Sequence, residues 1–128
     1  MNYLSSIKLA AALGGLTVAV GAFGAHGLAA ILEEHGRTAT FETAVKYQFY
    51  HVLAIFLVGL LQAKVPENKL LNGSIYAFML GILIFSGSLY ILSLTGITWL
   101  GAITPLGGLA FIAGWIMVFF GAKHKLGQ

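Results

Sequence analysis

An all-α integral membrane bundle of four helices, with a short interfacial helix between the first and second, is predicted by three features of this sequence. Of its 128 residues, 59% are hydrophobic and only 9% are charged, far from the balance of a soluble domain. The apolar residues gather into four runs, about 7–25, 44–63, 70–94 and 105–122. Each run is long enough as a helix, at ~1.5 Å per residue, to cross ~30 Å of hydrocarbon. The few charges stand at the ends of those runs. No stretch remains for a soluble domain, so residues 1–128 read as a single four-pass domain.

The first run carries Lys8 near its start. A lysine ahead of an apolar stretch, followed by the small residues of GAFGA, also fits a cleavable signal sequence, but three further spans make an uncleaved helix the simpler reading. The connection from His26 to Thr43 is the longest. Within it GLAAILEEHG predicts a short interfacial helix ended by Gly36, and Thr38 or Thr40 is placed to cap the second span. KVPENK turns the chain into the third span, and the uncharged TGITWLGAIT leads into the fourth, with Trp99 as an interfacial belt residue. Thr104 and Pro105 read as N-cap and first residue of that helix, because proline lacks the N–H that would be orphaned there. Small residues recur at helical spacing: Ala11, Gly15 and Ala19; Gly73, Ala77 and Gly81; Ala110, Gly114 and Gly121. These predict close helix packing and offer faces for a homo-oligomer.

Lys8, the pair Lys64 and Lys69, and the pair Lys123 and Lys125 mark one side, against Arg37 and Lys46 on the other. The excess places both termini and the KVPENK turn in the cytoplasm, at the plasma (inner) membrane. The lipid bilayer is the expected partner. The net charge of +3 comes from scattered lysines rather than a basic patch, so no nucleic acid is expected. Cysteine and aspartate are absent, which excludes thiolate chemistry, disulfides and any aspartate-based dyad.

The informative residues are the polar ones inside the runs. Counted from the lysines at ~1.5 Å per residue, His26, Gln48, Ser86 and Thr104 fall at one depth, ~24 to 29 Å above them, and His51 at ~20 Å. Tyr47, Gln48, His51 and Gln62 share one helix face, with Glu42 and Lys46 nearly opposite. Lys46 lies four residues after Glu42, a favourable pairing, and close enough to the interface to snorkel. His51 lies too deep for that and needs hydrogen-bond partners, for which Ser86, Ser88, Tyr47 and Gln48 are at hand. Either His51 ties helices together, or it belongs to a cleft for a small solute or lipid headgroup lined by His26, Tyr47, Gln48, His51, Ser86, Ser88 and Thr104. Convergence of polar groups from separate helices favours the cleft. A metal or haem site on His26 and His51 lacks a supporting carboxylate and ligand spacing, and a Ser88–His51 dyad lacks an oxyanion motif, so no metal, cofactor or catalytic residue is expected. Glu33, Glu34, Glu42 and Glu67 all read as lying in connections, which disfavours proton-coupled antiport.

GAFGAHGL, TAVKYQFYHVLAI and FSGSLYILSLTGITWLGAITPLGGLAFIAGW together resemble the domain of unknown function 423 family, small four-pass membrane proteins of the YgdD and YwdK type. The resemblance covers essentially the whole chain. It implies a four-helix bacterial inner-membrane protein and carries no catalytic role. His26, Tyr47, Gln48, His51, Ser86, Gly87, Ser88, Thr104, Pro105 and Gly107 fall within the matching blocks. The expectation is a non-enzymatic binding, transport or accessory protein with a polar cleft at its outer face. A membrane-embedded enzyme, or a redox or metal-binding protein using His51, is the alternative.

Overall fold

A computed structural model describes the backbone of residues 1–126 and the side chains of residues 1–122. The side chains of Lys123 and Lys125, used above to orient the fourth span, lie outside the described residues. The helices are α1 (Tyr3–Ala25), α2 (Ala29–Glu34), α3 (Thr38–Lys64), α4 (Lys69–Gly81), α5 (Gly87–Thr95) and α6 (Thr104–Leu126). A π segment, Ile82–Ser86, joins α4 and α5 into one span, and a 3₁₀ turn, Thr98–Ala102, precedes α6. Four stretches are long and apolar enough to cross a membrane: Tyr3–Ala25, Thr38–Lys64, Lys69–Thr95 and Thr98–Ala122. The chain is thus an all-α four-helix membrane bundle with a short helix between the first two spans.

The helices reach past the apolar runs because polar residues start them. Asn2 accepts from the Ser5 N–H at 2.8 Å, so α1 begins at Tyr3 rather than near Ile7. Asn68 accepts from the N–H groups of Leu70 and Leu71, capping α4, and donates to the Gly121 carbonyl at 3.0 Å, tying the turn to α6. The expected threonine caps are not used. Helix α3 starts at Thr38 itself, behind Arg37, without a side-chain cap. Thr104 directs its hydroxyl to Ser88 and to the Leu100 carbonyl. Helix α2 closes as expected at Gly36: its φ of +64° lets Gly36 N–H reach the Glu33 carbonyl and Arg37 N–H the Leu32 carbonyl, at 3.0 and 2.9 Å. Because α3 begins so early, Glu42 sits on a helix and not in a connection.

The spans pack in chain order: α1 against α3, α3 against α4, the π segment and α5, and α4 and the π segment against α6. Ala54, Ile55 and Val58 of α3 meet Leu71, Ile75 and Phe78 of α4 and Phe111 of α6 in the core. The third and fourth spans interlock through their small residues. A Cβ on Gly81 would collide with Phe111, and one on Gly114 would stand 2.5 Å from the Phe78 ring. On α1 the expected ridge is not the packing face. Ala11, Gly15 and Ala19 are exposed and nothing lies within 4 Å of a Cβ on Gly15, while Ser6, Ala10, Gly14, Thr17 and Gly24 turn toward α3. Helix α1 is apolar all round, so small-residue spacing alone does not choose its face. The buried hydroxyls of Ser6 and Thr17 do.

Candidate functional site

His51 is 5% exposed, and its ring lies face to face with Phe111, centroids 3.6 Å apart and planes 9° from parallel. Its Nδ1 stands 2.7 Å from the Tyr47 carbonyl, and the Trp115 indole Nε1–H donates to its Nε2 at 3.1 Å. A carbonyl only accepts and an indole N–H only donates, so the ring must be the neutral form with the proton on Nδ1. The expected partners Ser86, Ser88, the Tyr47 side chain and Gln48 are not the ones used. The real partner is Trp115, which is 47% exposed and turns its one polar atom inward. An indole N–H facing hydrocarbon must find an acceptor, and His51 supplies it. Reading tryptophan only as apolar hides this pair from the sequence.

Gln48 looks the other way along the bundle. Tyr90 O–H donates to its Oε1 at 2.6 Å, its Nε2 donates to Thr17 Oγ1 at 2.8 Å, and Thr17 donates to the Leu13 carbonyl at 2.6 Å. This relay joins α5, α3 and α1. Gln62 ties the opposite end of α3: Ser6 donates to its Oε1 at 2.7 Å, and its Nε2 donates to Asn72 Oδ1 at 2.6 Å and to the Met1 carbonyl at 3.2 Å. Gln48, His51 and Gln62 are thus buried on the expected side of α3 but share no hydrogen bond, and Tyr47 is left exposed. Helix α3 is the central span and spends each on a different neighbour.

The remaining sequence-derived site residues separate likewise. Ser86 donates to the Ala44 carbonyl at 2.7 Å, and Ser88 and Thr104 pair at 2.6 Å, so Ser88 is not hydrogen-bonded to His51. Tyr47 is 40% exposed and packs its ring on Phe85, centroids 4.5 Å apart. His26 is exposed at the end of α1. Gly24 packs on Phe41, which places His26 roughly 13 Å beyond Gln48 along the bundle axis. The lysine count misplaced it because Lys8 is not level with Lys64: Ser6 already pairs with Gln62. Among the described residues, no group of three or more His, Cys, Asp or Glu is placed to hold a metal ion.

A groove opens elsewhere, between α1, α2 and α3. Its volume is ≈ 400 Å³. Gly21, Gly24 and Ala25 form one wall, Phe41 and Val45 the other, and Leu32 and Ala29 of α2 close the end. Glu33, Glu42 and Lys46 stand at its rim, all exposed. The Glu42 and Lys46 pair, read from sequence as a solvated helix pair, thus also borders an apolar cavity. Gly21 and Gly24 bring α1 close to α3 along this wall: a Cβ on Gly24 would collide with the Phe41 ring, and one on Gly21 would stand 3.2 Å from Val45 Cγ1. Neither their role nor the folding back of α2 over the end is read from the sequence, where Ala11, Gly15 and Ala19 are the small residues singled out on this span.

The family model described as Protein of unknown function (DUF423) matches residues 20–108. The chain belongs to the DUF423 family. Among its relatives, the UPF0382 membrane protein SH2409 of Staphylococcus haemolyticus is 47% identical over 112 residues, 88% of this chain and 89% of its own. The UPF0382 membrane protein YwdK of Bacillus subtilis is 45% identical over 111 residues, covering 87% and 89%. A UPF0382 membrane protein of Haemophilus influenzae is 39% identical over 121 residues, covering 94% and 93%. No solved structure matches the chain. All groove-lining residues fall within the DUF423 match, whereas Phe111 and Trp115, which complete the His51 cluster, lie beyond its end.

Proposed function

We propose that this integral membrane protein is a non-enzymatic binding or accessory protein of the bacterial inner membrane that takes an amphiphile into the groove between α1, α2 and α3. Residues 1–128 act as a single four-pass unit, with both termini and the turn from Lys64 to Lys69 in the cytoplasm and the groove mouth at the outer face. The lysine asymmetry of the sequence supports that orientation. One observation carries the reading: the buried polar groups of the spans are engaged with one another, while Glu33, Glu42 and Lys46 ring an apolar cavity. Charged heads around an apolar cleft match a ligand with a polar head and a hydrocarbon tail. In this reading Gln48, His51, Ser86, Ser88 and Thr104 hold helices together. None of the seven sequence-derived ligands lines the groove; His26 follows groove-lining Ala25 and Tyr47 follows groove-lining Lys46 in the chain. Enzyme or redox use of His51 is disfavoured because both of its ring nitrogens are already engaged.

The test is cross-linking in bilayers with a fatty amphiphile bearing a photoactivatable group near its head. Adducts concentrated on α1, α2 and the first half of α3 are expected. Adducts spread evenly over the outward faces of all four spans would reduce the groove to ordinary lipid contact and sink the reading.

A further inference from the structure

The groove does not end below its charged rim. A second cavity of ≈ 270 Å³ shares Gly21, Val45 and Lys46 with it and continues past Thr17, Val18 and Phe49. A third, of ≈ 340 Å³, shares Val18 and Phe49 with the second and runs on past Gly14 to Ala10 and Phe56. Together they form a furrow along the seam of α1 and α3. From Ala25 to Ala10 it follows roughly 22 Å of helix. One leaflet of a ~30 Å hydrocarbon core is about 15 Å deep, so the furrow is long enough for one acyl chain.

The rim selects the head. Glu33, Glu42 and Lys46 together carry one net negative charge, with the two carboxylates on different helices and the ammonium one turn below Glu42. A primary ammonium donates charge-assisted hydrogen bonds to carboxylates, and a phosphodiester accepts one from Lys46. Both groups occur in a zwitterionic aminophospholipid. A headgroup carrying the phosphate alone meets two carboxylates and is repelled. A quaternary ammonium has no N–H to donate.

Resting on the amphiphile reading above, we propose that the furrow binds a phospholipid with a primary-amine zwitterionic head, its ammonium at Glu33 and Glu42, its phosphate at Lys46, and one acyl chain along the α1–α3 seam.

The experiment uses the full chain, delipidated in detergent and offered an equimolar mixture of phosphatidylethanolamine, phosphatidylglycerol and phosphatidylcholine of matched acyl chains. Retained lipid is read by native mass spectrometry. Phosphatidylethanolamine should be retained over either competitor by roughly tenfold, the worth of one charge-assisted hydrogen bond. Glu42→Gln and Lys46→Gln should each erase most of that preference. Both residues are exposed, so unchanged helicity and melting of the variants are checked first. Equal retention of the three lipids, with photo-adducts still on the groove, overturns the headgroup assignment and leaves the amphiphile reading standing. No lipid retained, with second copies of the chain cross-linked along Ala11 and Gly15, overturns both.

Discussion

Gly107→Ala tests how closely the third and fourth spans approach. A methyl at position 107 would stand 2.7 and 2.8 Å from the Cβ and Cα of Phe85, and closer still to its backbone nitrogen. Carbon atoms in contact prefer ~3.5 to 4.0 Å, so the helices must part by about 1 Å there. Phe85 has little room to withdraw. It lies in the π segment, with the Tyr47 ring on its far side, and the next residue, Ser86, is hydrogen-bonded to Ala44 of α3. Overpacking of this kind costs about 1–3 kcal/mol, and replacing a helical glycine by alanine returns up to about 1 kcal/mol. The net expectation is a loss of about 1–2 kcal/mol. Gly108→Ala is the control, since its methyl meets only Phe85 Cδ2, at 4.0 Å, and should be neutral or mildly stabilising. Unfolding by sodium dodecyl sulfate in mixed micelles, followed by far-ultraviolet circular dichroism, measures both. If Gly107→Ala unfolds at the same detergent fraction as Gly108→Ala, the close approach is not present in the folded protein.

A double-mutant cycle with His51→Leu and Trp115→Phe should give a coupling of about 0.6 kcal/mol, the average for hydrogen bonds between membrane helices, and no more than about 1.7 kcal/mol. No coupling would mean that the indole N–H is satisfied elsewhere. Asn68→Ala should lose about 1 kcal/mol from the cap together with the tie to Gly121, whereas Asn68→Asp should recover the cap alone and fall between the two in the same unfolding assay. For topology, the chain has no native cysteine, so Glu34→Cys should react with an impermeant maleimide in intact cells and Lys69→Cys should react only after lysis. The reverse pattern would invert the bundle.

Length, hydropathy and turn chemistry made the four spans, α2 and its Gly36 stop legible in the sequence, because each depends on local residues. The common depth counted from the lysines was only approximate: Ser86 bonds the Ala44 carbonyl, one turn along α3 from Gln48. Partner choice was not legible. Thr17 stands in an apolar run as one hydroxyl among small residues, and only the register of α1 against α3 brings it to Gln48. The π segment has no local signature either. It adds no charge and no breaker beyond Gly81, yet it sets how Ser86 and Ser88 meet Ala44 and Thr104. The shared polar cleft expected from depth alone resolves into separate pairs. Depth fixes height along a helix, whereas facing is fixed by neighbours far away in sequence.

The most direct measurement compares lipid retained by two variants of the purified chain, Ala29→Trp and His51→Gln, with the unaltered protein by native mass spectrometry. Ala29 lines the groove, and an indole there fills it without entering the core, while His51 is buried against Phe111 and Trp115. Ala29→Trp should lose bound lipid and His51→Gln should keep it, both remaining folded. Loss in His51→Gln with retention in Ala29→Trp would contradict this and return the binding role to the histidine.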